Sequence, residues 1–175
     1  MRPTSAEMAE QWEIPDLQEW LRMPLGGLLD AILGLSMTKR SDRQMFGLAQ
    51  TISSLWPEYP PVQQAVARRQ SGLLTNWTSF LEFLLGHYEV QVLSSLQLSE
   101  LFWMAESISL GEIRDRMAWN PPVLLRDAPV GKSGFYAARG LLLVLTGHVA
   151  DLEGRLLSMD ELADRMPRGD ATFPG

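Results

Sequence analysis

Apolar residues recur along this chain at steps of three and four almost throughout, the spacing that lines one side of a helix. The clearest instance, Leu73, Leu74, Trp77, Phe80, Leu81, Leu84, Leu85 and Tyr88, predicts one helix with a wide apolar stripe. Leu141, Leu142, Leu145, His148, Val149 and Leu152 form a second stripe; Met45, Phe46, Ala49, Ile52, Leu55 and Trp56 form a third. The third follows Ser41, whose spacing to Gln44 makes a capping box: the serine accepts from a first-turn amide and the glutamine reaches back. Weaker periodicity predicts a short helix through Leu17, Trp20 and Leu21 behind Pro15, ended by Pro24, which has no amide hydrogen. Others run through Leu28, Leu29, Ile32 and Leu33, and from Val62, Ala65 and Val66 behind Pro60-Pro61. Alternation of period two is confined to pieces such as Val90 to Leu93 and Val123 to Leu125. The expected fold is all-α, a compact multi-helix domain of about seven to nine helices.

Trp119 to Gly134 breaks the helical pattern with three prolines and two glycines, which predicts one long loop. Residues 1–175 read as a single helical domain; the alternative division is an N-terminal helical subdomain, 1–70, packed on a C-terminal one, 71–166. Residues 167–175 read as a tail. Ser109 to Glu112 and Ser158 to Glu161 share the capping-box spacing, and each is expected to open a helix. The segments around them align at an offset of 49, but Phe80–His87 and Leu141–His148 align at 61, so no duplication is read from these similarities.

Composition narrows the chemistry. The 175 residues include no cysteine, which excludes thiol catalysis, cysteine-ligated zinc or iron-sulfur centres and disulfide scaffolds. A chain of this length can build a core without such staples. Glu7, Glu10, Glu13 and Asp16 occupy the positions where a signal peptide needs an apolar run, and Gly140 to Gly147 is far short of the roughly 20 residues a bilayer demands. A cytoplasmic protein without a membrane span is the expectation. The net charge of −6 divides into successive blocks of −4, +3, −5, +3 and −3, with boundaries after residues 35, 75, 112 and 139. Alternating blocks suit helices that pair with neighbours of opposite sign, in the same chain or across an oligomer.

Candidate catalytic chemistry is thin. His87 and His148 each follow a glycine on an apolar stripe, and neither has the helical spacing of a metal-binding pair; both read as partly buried, hydrogen-bonded structural residues. Gly131-Lys132-Ser133 lacks the glycine five residues upstream that a phosphate loop requires, position 126 being Arg. No Gly-x-Ser-x-Gly elbow is present. Asn76-Trp77-Thr78 and Arg168-Gly169-Asp170 are chance matches to short patterns. No catalytic residue, metal or cofactor is expected.

Six Trp and nine Met favour surfaces that bind other proteins, since both types enrich interface centres. The first reading is a non-catalytic interaction module: an adaptor, assembly factor, inhibitor or regulatory subunit that meets another protein or a second copy of itself. Trp12, Trp20, Trp56 and Trp119, near predicted helix ends or loops, are its contact candidates. The alternative is a DNA-binding regulator. It would use a helix pair within residues 98–118, with a turn before Ser109, and the basic loop 119–134, contacting phosphate through Arg114, Arg116, Arg126, Lys132 and Arg139.

Overall fold

Pro24 sets the first boundary of the fold. In the computed structural model α1 is Leu17–Trp20, and α2, Leu25–Arg40, begins immediately after the proline. The structure describes residues 10, 14, 17–40, 52, 54, 58–93, 97–118 and 135–168, with backbone alone at 39, 40, 69, 70, 73 and 114–118. α3, Pro60–His87, takes its two prolines in the first turn, where their missing amides are harmless, and Tyr59 accepts from Val62 and Gln63. The strongest stripe and the weaker one at Val62 are therefore a single helix of 28 residues. Only Gly72 lies between them as a poor former, at a cost of about 1 kcal/mol. After α3 come β1, Gln91–Val92, then α4, Leu98–Ala118, and α5, Ala137–Leu145. β2, Val149–Ala150, and α6, Met159–Ala163, complete the order. The fold is all-α, with one small antiparallel pair in which Gln91 faces Ala150 and Val92 faces Val149.

Two expectations change here. The stripe running to Leu152 is helical only as far as Leu145, because Gly147 takes a positive φ of 83° and turns the chain back. His148, Val149 and Leu152 follow in a turn, strand and hairpin; burial of Val149 and Ala150 in the strand mimicked a helical period. The helix expected to open at Ser109 is instead the middle of α4: Ser109 is buried and its hydroxyl donates to the Ala105 carbonyl at 3.0 Å. Ser158, by contrast, opens α6 with both capping-box bonds present, as its spacing predicts. Of the third stripe only Ile52 is described, in helical conformation; the rest, the loop 119–134 and residues 169–175 lie outside the described residues.

One connected core joins every element. α5 lies at its centre, burying Ala137, Ala138, Gly140, Leu141, Leu142 and Leu145 between α2 and α4. α4 packs in turn on α3, and α6 on α2 and α5. A boundary at residue 70 would cut through α3, and α2 shares its core with α5 and α6. Two close approaches set the spacing. A Cβ on Gly140 would stand 2.9 Å from Ile108 Cγ2, and one on Gly26 would stand 3.0 Å from Ala163 Cβ and 3.1 Å from its Cα and carbonyl oxygen.

The C-terminus of α3 is a junction of three segments. Val90 donates to the Leu85 carbonyl at 2.8 Å and Glu89 to Gly86 at 3.3 Å, the bond pair of a Schellman cap. Glu89 holds the left-handed position, φ 54°, usually taken by glycine. The buried Tyr88 hydroxyl donates to the Met23 carbonyl at 2.7 Å, and burial pushes that phenol above its ordinary pKa. Arg165 donates from Nε to the Tyr88 carbonyl at 3.1 Å, while its own carbonyl accepts from the Leu25 amide at 2.9 Å and so satisfies the start of α2.

Unfolding of three variants at two positions tests these constraints. Gly26→Ala gains up to about 1 kcal/mol of helix propensity but forces a methyl against backbone, a clash of about 1–3 kcal/mol. Urea unfolding is expected to show a net loss; an unchanged or raised midpoint would refute the close approach. At Glu89 a β-branched residue meets the full left-handed penalty, so Glu89→Val loses about 1–2 kcal/mol. Glu89→Gly, trading an exposed ion pair with Arg168 for a freer backbone, unfolds no earlier than wild type.

Candidate functional site

The crossing of α3 and α4 is built from aromatic residues that both helices turn inward. Trp77 stacks on Phe102 with centroids 5.4 Å apart and meets Phe80 edge-on at 5.7 Å. Leu101, Phe102, Ala105, Ser109 and Ile113 keep one face of α4 buried from Leu101 to Ile113. Trp103 falls on the opposite face, 59% exposed. Beside it lies a groove of about 430 Å³ lined by Leu74, Ser99, Glu100, Trp103 and Met104. Glu100 is fixed at its rim, accepting the Gln97 amide at 2.6 Å, where a carboxylate also complements the helix N-terminus. The arrangement offers an indole, a thioether and a leucine beside one fixed negative charge. That is chemistry for holding an apolar side chain next to a basic one.

A second polar cluster lies at the β2 hairpin. The Asp151 carboxylate accepts from the amides of Glu153 and Arg155 at 3.1 and 2.9 Å and from Arg155 Nε at 3.2 Å. Arg155 Nη1 reaches Glu161 Oε1 at 2.6 Å, and Glu161 Oε2 accepts the Ser158 amide at 2.9 Å. The bond from Ser158, followed by that from Arg155, lowers Glu161 from its ordinary pKa of 4.5 to about 2. Each carboxylate is thus consumed in closing the turn and capping α6, and the cluster is structural.

Comparison with protein-family models, curated proteins and solved structures finds no match.

Of the tryptophan candidates, Trp20 is half-buried against the core. Trp12, Trp56 and Trp119 lie outside the described residues, as do Arg126 and Lys132. Arg114 and Arg116 sit in the last turns of α4, where only backbone is described, and Arg139 is half-buried on α5. α4 is uninterrupted, so the turn required for a helix pair within residues 98–118 is absent. Its buried stripe stays in register from Leu101 to Ile113, and Glu112 does not reach back to a cap. It accepts the Tyr136 amide instead, at 2.8 and 2.9 Å, and so caps α5. His87 is half-buried as expected, with Nε2 3.0 Å from the Leu21 carbonyl and its ring stacked on Phe83. Among the described residues no three His, Asp or Glu form a group fit for a metal, and no helix is long and apolar enough to cross a membrane. Trp103 is the residue that the sequence pattern alone did not single out. Its position out of phase with Leu101, Phe102 and Ala105 was the available signal.

The Glu161 contribution has a defined pH window. Its folded pKa lies below the unfolded value, so the stabilisation is complete above 4.5 and disappears as pH falls through about 2. The stability gap between wild type and Glu161→Gln should be widest near neutrality and shrink as pH falls through that window. A gap independent of pH would show that the carboxylate's charge contributes nothing.

Proposed function

We propose that the protein is a non-catalytic interaction module whose docking surface is the α3–α4 groove. It serves as an adaptor, assembly factor, inhibitor or regulatory subunit. The observation that carries this reading is Trp103, exposed on the groove wall while its neighbours Leu101 and Phe102 are buried. An indole left in water beside a shaped apolar recess gains on the order of 2–3 kcal/mol when a partner covers it. Trp is also the side chain most enriched among residues that dominate binding energy. The cysteine-free composition supports a reducing, cytoplasmic setting for this activity. The unbroken α4 supplies no recognition-helix geometry for the DNA-binding alternative, so the protein partner is preferred.

The test is affinity capture from a lysate of the source organism. Immobilised wild-type protein should retain one protein in stoichiometric amount, and Trp103→Ala with an unchanged circular dichroism spectrum should retain at least about tenfold less. Equal retention by both would sink the proposal, as would no retention by either from a protein that is also monomeric in solution.

A further inference from the structure

We propose that the partner on this groove is a second copy of the chain: the Tyr59–Asn76 arm of each protomer lies along the Trp103 groove of the other. This rests on reading the groove as a docking surface, and names its occupant.

Three observations support it. First, α3 has 28 residues, about 42 Å of helix, yet among its described side chains the first buried one is Trp77. Among the described side chains from Tyr59 to Asn76 none is buried; Tyr59 is 55% exposed and Val62 and Val66 are half-buried. At 100° per residue Val62, Val66, Trp77 and Leu84 fall within about 60° of one another, so the arm carries the core-facing stripe of α3 outward. A helix draws most of its stability in a protein from tertiary packing of its apolar face, so a surface that covers this stripe stabilises the arm.

Second, the charges match. Residues 59–81 contain two Arg and no acidic residue or Lys, while residues 82–112 contain five Glu and no Lys or Arg. Arg68 is exposed on the arm, and Glu100 stands at the groove rim. Third, Leu74 lies near the end of the arm and is also a wall of the groove. An antiparallel pairing of two α3 helices about a two-fold axis near Leu74 therefore fills both grooves at once, the self-complementary arrangement of a closed dimer. The Leu74 end of each arm then covers the partner's Trp103 and Met104, each Arg68 faces a Glu100, and the Val62–Val66 stripe runs on along the partner's α3.

Light scattering coupled to size-exclusion chromatography tests this across a micromolar concentration series of the full chain. A dimer is expected. Trp103→Glu should raise its dissociation constant at least about 30-fold, and Arg68→Glu about fivefold. Adding Glu100→Arg to Arg68→Glu should recover the wild-type value by restoring the pair with reversed sign. Circular dichroism of each variant guards against unfolding; if Trp103→Glu fails that control, the exposed Arg68 and its charge-reversal rescue decide the outcome. A monomer at every concentration, or a dimer indifferent to these substitutions, overturns self-pairing. If such a monomer still captures a different protein through Trp103, the interaction reading survives; if capture fails as well, both readings fall.

Discussion

The hydrogen bond from the buried Tyr88 hydroxyl to the Met23 carbonyl is the contact on which the arrangement of the helices depends. It fixes the end of the 28-residue α3 against the break between α1 and α2, with the tyrosine side chain fully buried. Around it His87 contacts the Leu21 carbonyl, and Arg165 joins the Tyr88 and Glu89 carbonyls at 3.1 and 3.4 Å. Three segments distant in sequence meet there, and each supplies backbone groups that the others satisfy. Apolar burial alone would hold these helices together without fixing their ends.

From that fixed end the remaining geometry follows by packing. α3 leaves the junction along the core as far as Trp77, where the stack on Phe102 sets its crossing with α4. α5 then closes against α4 because Gly140 admits Ile108, and α6 closes against α2 because Gly26 admits Ala163. With the inner faces of α3 and α4 committed in this way, the bundle has no element left among those described to cover the outer side of their crossing. The exposed Trp103 and the projecting first half of α3 are products of the same constraint.

Much of this was legible in the sequence, and the exceptions have physical causes. The breaks at Pro24 and before Pro60, the stripe from Trp77 to Tyr88 and the capping box at Ser158 all depend on neighbours within a turn or two. Local signals misled where distant partners decided the outcome. Ser109 and Glu112 have the spacing of a cap, but the serine bonds within its own helix and the glutamate serves the start of α5. Val149 continues a helical period, but pairs with Val92 in a strand once Gly147 has reversed the chain. For the site, the abundance of tryptophan pointed to a kind of surface without its address. Trp20 turns toward the core and Trp103 away from it, a difference set by the phase of each helix against neighbours.

The junction at Tyr88 also imposes an order of events during synthesis. Its closing bonds span 65 to 77 positions, and the Leu25 amide waits for a carbonyl at Arg165. While the chain is being made, α2 and α3 emerge with those groups unpaired and with Gly26 facing an empty slot where Ala163 will seat. Helices can form early, but their final docking must await residues near the end of the described chain, so closure of this fold is a late and concerted step. A nascent chain stalled before Arg165 would show its apolar helix faces to the cell, and its residence in that state is set by translation speed rather than by the stability of the finished molecule.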